Sequence, residues 1–192
     1  MSRVDYSEEG RKLIAQLTAN AAGGSPYNPM DLIWTDPKTG GKIFVGNQSA
    51  ARNADRSPQK ITHVVNCTND MPNYCEANPA MTYLRFNVSY WQSCGDSSTF
   101  SQKSPAEVVS WLDRSVFQFV DSALAKGENV LVHCLAGAHR AGTTGILLLM
   151  NKSGLGAEEA THAAKTLRSA INPISDFPRL LKLYESHRTA GK

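Results

Sequence analysis

The sequence predicts an α/β fold in which a mostly parallel, twisted central sheet of about four to five strands is flanked by helices. Short runs rich in Val, Ile and aromatic residues alternate along the chain with segments in which apolar residues recur at helical spacing. Strands that alternate with helices pair in parallel, because each crossover helix returns the chain to the same edge of the sheet. At 192 residues, the chain is long enough to bury one substantial core.

Short apolar segments bounded by turn signals such as DPKTGG are predicted as strands. They are KIFVG (42–46), ITHVVNC (61–67), TYLRFNV (82–88) and NVLVH (129–133). The last of them is almost wholly apolar, which is typical of a strand that is buried on both faces.

The clearest predicted helix covers residues 105–127. Ser104 and Glu107 form a capping box, Pro105 takes the first helical position, and Gly127 closes the end. Its predicted core stripe consists of Val108, Leu112, Val116, Phe119, Val120 and Ala123. Further helices are predicted at 7–22, 49–53, 140–152, 157–170 and 176–188.

Composition excludes several classes of function. The formal net charge is +3 with Lys and Arg scattered, so we expect no nucleic-acid partner. No apolar run approaches the ~18 residues of a membrane span, and the polar start of the chain is no signal peptide, so we expect no membrane association. The four cysteines form no C-x-x-C pair, which argues against zinc and favours reduced thiols and a cytoplasmic, or alternatively nuclear, protein.

The stretch VLVHCLAGAHRAG places a cysteine directly after the buried strand 129–133. Ligands of open α/β sheets bind at the carboxyl ends of the strands. The small residues after Cys134 allow backbone N–H groups to turn inward around one centre, just before a helix N-terminus that favours anions. Arg140 adds a guanidinium that can bind two phosphate oxygens, and the same field favours the thiolate of Cys134. This combination predicts covalent attack on phosphorus.

HCLAGAHRAG resembles the H-C-x5-R signature of the protein tyrosine phosphatase superfamily, and the chain is similar to its atypical dual-specificity phosphatases. KIFVGNQSAARN, ITHVVNCTNDMPN and INPISDFPRLLKLYE also resemble segments of that family. The resemblance implies a phosphatase catalytic domain at 42–188 and an N-terminal helix-and-linker extension at 1–41. It also implies phosphorylated protein substrates, with no metal and no cofactor, and it leaves the oligomeric state open.

The resemblance assigns roles to the signature residues. It implies that Cys134 is the nucleophile, that Arg140 binds the phosphoryl oxygens, and that His133 orients the loop by hydrogen bonding to its backbone and helps to stabilise the thiolate. The loop amides that it implies for phosphate binding are those of Leu135, Ala136, Gly137, Ala138 and His139.

The sequence departs from the family pattern in two places. Ala141 stands where the family usually has Ser or Thr, whose hydroxyl helps the thiolate to leave, so we expect slow hydrolysis of the phosphocysteine. The second departure concerns the general acid, which the family carries as an Asp on the loop just after the strand that corresponds to 82–88. The first carboxylate after that strand is Asp96, which is therefore the candidate for the acid. It lies in a loop of about seventeen residues, which is longer than typical connections and is therefore either a functional lid or mobile.

Cys67 ends the strand expected beside that of Cys134, and some branches of the superfamily have a redox partner of the nucleophile at this place. A buried structural cysteine is the alternative. Arg168 is expected at the surface, with a place at the rim of the site as the alternative. For the whole chain, the alternatives are a pseudophosphatase that binds phosphorylated partners without turnover, and a glucan- or RNA-directed phosphatase of the same superfamily.

Overall fold

The computed structural model describes residues 4–19, 27–94 and 103–190. The strands are β1 (Met30–Thr35), β2 (Lys42–Gly46), β3 (Ile61–Asn66), β4 (Thr82–Arg85) and β5 (Asn129–His133). The helices are α1 (Tyr6–Ala19), α2 (Gln48–Arg52), α3 (Pro105–Leu112), α4 (Gln118–Leu124), α5 (Arg140–Ser153), α6 (Ala157–Leu167) and α7 (Phe177–Ala190). Two short 3-10 turns, Ala54–Arg56 and Val88–Ser93, follow α2 and β4.

The strands form one sheet in the order β1-β2-β5-β3-β4. β2, β5, β3 and β4 run parallel to one another, whereas β1 runs antiparallel to β2. The predicted α/β class and the mostly parallel sheet are confirmed. The central place of β5 explains its unbroken apolar sequence, because helices or loops cover both of its faces.

Side chains of the central strands alternate between two apolar clusters. Val130 and Val132 of β5 face the larger cluster, to which α3 to α7 contribute, whereas Leu131 faces the smaller one beside α2. Because successive side chains of a strand point to opposite faces, one strand anchors helices on both sides. The sheet is thereby fixed between two layers.

β1 was not predicted from the sequence. Its segment MDLIWT mixes polar and apolar residues, Leu32 is 38% exposed, and a register shift lies between Leu32 and Trp34. These features remove the regular alternation by which a half-buried strand is recognised. The sheet therefore begins inside the segment 1–41 that the sequence analysis treated as an extension.

The predicted helix 105–127 is present, with its capping box at Ser104 and Glu107. It is continuous but contains one π-helical turn, Asp113–Phe117, between α3 and α4. Among residues 4–19, 27–94 and 103–190, no helix is long and apolar enough to cross a membrane. The carboxyl ends of β2, β3 and β5 meet at one edge of the sheet, where the signature loop begins.

Candidate active site

Strand β5 places Cys134 at the carboxyl edge of the sheet, between the ends of β2 and β3. His133 is in register with Gly46 on one side and with Asn66 on the other. The loop 134–139 then leads directly into α5, which begins at Arg140. The cysteine thus lies between a buried strand and a helix N-terminus, as the sequence predicted.

The backbone carbonyls of the loop are held outward by partners from distant parts of the chain. The Leu135 oxygen accepts the N–H of Gln48 at 3.0 Å, and the Ala138 oxygen accepts that of Asn172 at 3.2 Å. The Ala136 and Gly137 oxygens accept the guanidinium of Arg168 at 3.3 and 3.0 Å. Tyr27 also donates its hydroxyl to the Ala136 oxygen.

Because these carbonyls point away, the amides of the loop are directed to the other side. Within the described residues, no acceptor is hydrogen-bonded to the N–H groups of 135–139. Such a set of free amides, followed by the positive end of a helix, is an anion-binding cradle. The structure therefore brings together the five amides that the sequence analysis assigned to phosphate binding.

Gly137 is required by the shape of this loop. Its φ is +62°, a left-handed conformation that residues with a Cβ seldom adopt. A Cβ at this position would lie 2.5 Å from the carbonyl carbon and oxygen of Gly46 and 2.8 Å from the Arg168 guanidinium. The loop therefore packs directly on the end of β2, and a side chain would force the two apart.

Arg140 is the first residue of α5 and is 6% exposed. Its Nη2 lies 3.4 Å from the hydroxyl oxygen of Ser7, and its guanidinium lies 5.8 Å from the ring centre of Tyr6. Its Nε has no hydrogen-bond partner among the described residues. The guanidinium thus keeps N–H groups available beside the loop amides.

His133 is the last residue of β5 and directly precedes Cys134. The side chain is fully buried, and within the described residues neither ring nitrogen makes a hydrogen bond to the loop. Burial lowers the pKa of His133 to about 4, and the neighbouring backbone of Cys134 offsets this only in part. The imidazole is neutral at physiological pH, so it cannot stabilise a thiolate through a positive charge.

Arg168 was expected at the surface, and this prediction was wrong. It is 2% exposed, bonds two loop carbonyls and pairs with Asp31 of β1 at 2.5 Å. It also lies over the ring of Tyr27, 5.3 Å from its centre. Asp31 lies 137 positions from Arg168 in the chain, and the two loop carbonyls lie 31 and 32 positions away, so no local pattern around Arg168 could reveal these partners.

The turn that follows β4 is anchored to the start of α7. Trp91 is 3% exposed, and its Nε1 donates to Asp176 at 2.9 Å, as does the amide of Gln92 at 2.8 Å. This ties the turn Val88–Ser93 to the start of α7. Asp96, the predicted general acid, lies outside the described residues.

Ala141 is fully buried in the first turn of α5. The hydroxyls further along the helix are engaged elsewhere, since Thr143 donates to the carbonyl of His139 at 2.7 Å and Thr144 to that of Arg140 at 3.0 Å. Each hydroxyl thus donates to the carbonyl oxygen four residues earlier, one helical turn back. Neither hydroxyl replaces the one that Ala141 lacks.

Cys67 lies beside Cys134 across the sheet. Asn66 is in register with His133, and the Cys67 N–H donates to the His133 carbonyl at 2.8 Å. Cys67 therefore directly follows Asn66 of β3, Cys134 directly follows His133 of β5, and Asn66 and His133 are paired across the two strands. Burial, and then the proximity of Cys134, raise the pKa of the Cys67 thiol. All four cysteines are free thiols.

The described residues contain no group of three or more His, Cys, Asp or Glu side chains that could hold a metal ion. The site consists of a thiol at the floor of an amide cradle with a guanidinium at its rim. A thiol, unpaired amides and a guanidinium at one edge of an α/β sheet are the groups that cysteine-dependent phosphatase chemistry requires.

Comparison with known proteins identifies the family. The family model for the dual specificity phosphatase catalytic domain matches residues 43–187, so the chain belongs to the dual specificity phosphatases and is a protein phosphatase of that type.

Relatives and solved structures agree with this assignment. The chain is 28% identical to human dual specificity protein phosphatase 22 over 76% of its own length and 71% of that protein. It is 32% identical to human dual specificity protein phosphatase 9 over 66% of its own length, but this is only 32% of that longer protein. The crystal structure of human DUSP28 has the same fold, with a TM-score of 0.62, 22% identity, and coverage of 86% of this chain and 99% of that one.

Arg168→Met should weaken both the fold and the oxyanion cradle. The substitution leaves the carboxylate of Asp31 without its partner, so the free energy of unfolding should fall by about 3 kcal/mol. It also releases the carbonyls of Ala136 and Gly137, so the affinity for vanadate should fall at least about tenfold. Denaturant unfolding and calorimetric titration with vanadate measure the two effects.

Two comparisons separate the effects. Adding Asp31→Asn to Arg168→Met should recover stability but not vanadate affinity. Arg188→Met is the matched control, because Arg188 also binds carbonyls, those of Met150, Gly154 and Leu155, but at the far end of α5. It should lower stability alone. Unchanged vanadate affinity in the Arg168 variants would show that Arg168 does not shape the cradle.

Proposed function

We propose that this phosphatase hydrolyses phosphate monoesters of tyrosine and of serine or threonine in proteins through a phosphocysteine on Cys134. The observation that carries the proposal is the outward tethering of four consecutive loop carbonyls, which leaves the amides of 135–139 free around the thiol. Free amides at that position match the charge that develops on the equatorial oxygens of a phosphoryl group.

In the first step, the Cys134 thiolate attacks phosphorus and the bond to the ester oxygen breaks. The loop amides and the Arg140 guanidinium bind the three remaining phosphoryl oxygens, so the negative charge is neutralised by the protein itself. The leaving oxygen takes a proton from a general acid, for which we propose Asp96. Support for Asp96 is its place in the sequence, as the first carboxylate after β4.

In the second step, water attacks the phosphocysteine, phosphate leaves and the thiolate is restored. A hydroxyl near the sulfur would stabilise the departing thiolate, but Ala141 offers only a methyl group, and Thr143 and Thr144 bond to helix carbonyls. We therefore propose that this second step limits turnover.

Phosphorylated proteins are the proposed substrate class. Supporting this, residues 135–139 contain no lysine, which phosphoinositide phosphatases of the superfamily place in this loop, and the loop lacks the final glycine of the glucan phosphatases. The scattered positive charge gives no groove for RNA. A cytoplasmic or nuclear location and a role in signalling remain predictions.

Cys134→Ser should abolish hydrolysis of a small aryl phosphate, by at least about a thousandfold, because a serine hydroxyl is not ionised at neutral pH. Cys75→Ser is the matched control, since Cys75 is also buried but packs in the smaller cluster beside α2. It should retain activity. Steady-state rates test both, and a wild type that binds phosphopeptides without hydrolysing them would establish a pseudophosphatase instead.

Ala141→Ser should raise turnover severalfold with little change in substrate binding, because the new hydroxyl stabilises the thiolate that leaves in the second step. A presteady-state burst of the leaving group in the wild type should shrink in the variant. Stopped-flow kinetics with an aryl phosphate measure both quantities. Equal turnover in the two proteins would place the slow step elsewhere.

Asp96→Asn should impair the hydrolysis of phosphotyrosine by about 10²-fold or more, but that of activated aryl phosphates only slightly, because good leaving groups need no proton. The high-pH limb of the rate profile, which reports the protonated acid, should also flatten. Small and equal effects on both substrates would remove Asp96 from the reaction.

Mild peroxide should link Cys67 to Cys134. Peroxide oxidises the Cys134 thiolate to a sulfenic acid, and the Cys67 sulfur then displaces water to form a disulfide. Neighbouring strands lie about 4.8 Å apart, which is within the Cα separation that a disulfide spans. Mass spectrometry should detect the linkage, and reductant should restore wild-type activity more completely than that of Cys67→Ser. Equal recovery would leave Cys67 as a packing residue.

A further inference from the structure

The signature loop is closed off from solvent. Cys134 is 3% exposed and Arg140 is 6% exposed, and Ala136, Ala138 and His139 are no more than 5% exposed. A phosphate on a protein substrate must reach the thiol and the guanidinium together. Apart from Leu135, which is half-buried, little of this loop is open to solvent in the structure.

Part of the covering is helix α1. Its first residues meet the rim, where the Ser7 hydroxyl oxygen lies 3.4 Å from Nη2 of Arg140 and the Tyr6 ring lies beside the same guanidinium. Tyr6 also stacks on Phe177 at the start of α7, with 4.9 Å between ring centres. Asp5 begins the helix by accepting the N–H groups of Ser7 and Glu8 at 2.9 and 3.0 Å.

One turn later, α1 lies on the loop itself. Gly10 is buried, and a Cβ there would meet the side chains of Leu135 at 3.4 Å and of Ala136 at 3.6 Å. The missing side chain allows the helix backbone to approach the loop closely. The charged residues Arg11 and Lys12 that follow are exposed.

We propose that α1 is an autoinhibitory helix, which covers the phosphate-binding loop and must leave it before a phosphorylated substrate can bind. In the covered state, the Ser7 hydroxyl oxygen accepts a hydrogen bond from the Arg140 guanidinium, which is proposed to bind phosphate. The backbone at Gly10 covers Leu135 and Ala136 of the loop. This inference rests on the proposed function, because it concerns access to the same thiol.

The covered state should be in equilibrium with an open one. An isolated helix of about 12–15 residues is marginal in water, so α1, with 14 residues, depends on docking for its helical state. Apparent substrate affinity is reduced by the fraction of molecules that are open. Any change that favours helical, docked α1 should therefore slow the reaction, and any clash with the loop should accelerate it.

Gly10 allows both directions to be tested at one position. Gly10→Ala adds a methyl group at ordinary contact distance and increases helix propensity, which should slow alkylation of Cys134 by iodoacetamide up to about fivefold. Gly10→Leu also favours the helix, but its longer side chain overlaps Leu135. It should accelerate alkylation at least about fivefold by displacing the cover. Ala15→Leu is the matched control, because Ala15 is exposed on the same helix and should leave the rate unchanged.

Alkylation of the Cys134 peptide is followed by mass spectrometry, and kcat/KM for an aryl phosphate is measured in parallel. The inference predicts opposite shifts for the two Gly10 variants in both measurements. Circular dichroism should be unchanged in Gly10→Ala and should lose no more than the signal of one short helix in Gly10→Leu, because undocked α1 is marginal in water. If both variants alkylate at the wild-type rate, or shift in the same direction, α1 is not an autoinhibitory cover. If the alkylation rates shift as expected but neither the wild type nor the variants hydrolyse the aryl phosphate, the proposal that α1 covers the loop is supported and the proposed function is wrong.

Discussion

The outward hydrogen bonding of the loop carbonyls is the constraint on which the site depends. Carbonyl oxygens that faced inward would repel a phosphate, whereas the same backbone turned over presents N–H groups to it. The donors that hold it come from four places, namely Tyr27 before β1, Gln48 at the start of α2, Arg168 after α6 and Asn172 before α7. Arg168 is in turn fixed by Asp31 of β1. The sheet, its first strand and the last helices thus all contribute to one short loop.

The charge balance of the site follows from this arrangement. His133 is neutral, so the positive field at Cys134 comes from the amides, from Arg140 and from the N-terminal end of α5. A cradle of this kind is built before the substrate arrives and needs little reorganisation during the reaction. The fixed loop also explains why a single left-handed glycine, Gly137, cannot be replaced without moving the end of β2.

The sequence predicted those elements that are determined by residues adjacent in the chain. The buried run NVLVH, the loop after it and the helix at Arg140 follow from residues that are adjacent in the chain, and all were found where predicted. Strand β1 was missed because it is irregular and half exposed. The role of Arg168 and the docking of α1 were missed for another reason. The Arg168–Asp31 ion pair and the Ser7–Arg140 contact each join residues more than a hundred positions apart, which leave no periodic or spacing signal near either partner.

The central claim is that Cys134 carries the phosphoryl group between the two chemical steps. The most direct test is to mix the phosphatase with a phosphopeptide, quench with acid within the first turnover and map the phosphate by mass spectrometry. The account predicts a phosphorylated peptide that contains Cys134, formed at the rate of leaving-group release and lost at the rate of turnover. A phosphate on another residue, or leaving-group release with no phosphorylated protein at any time, would contradict it.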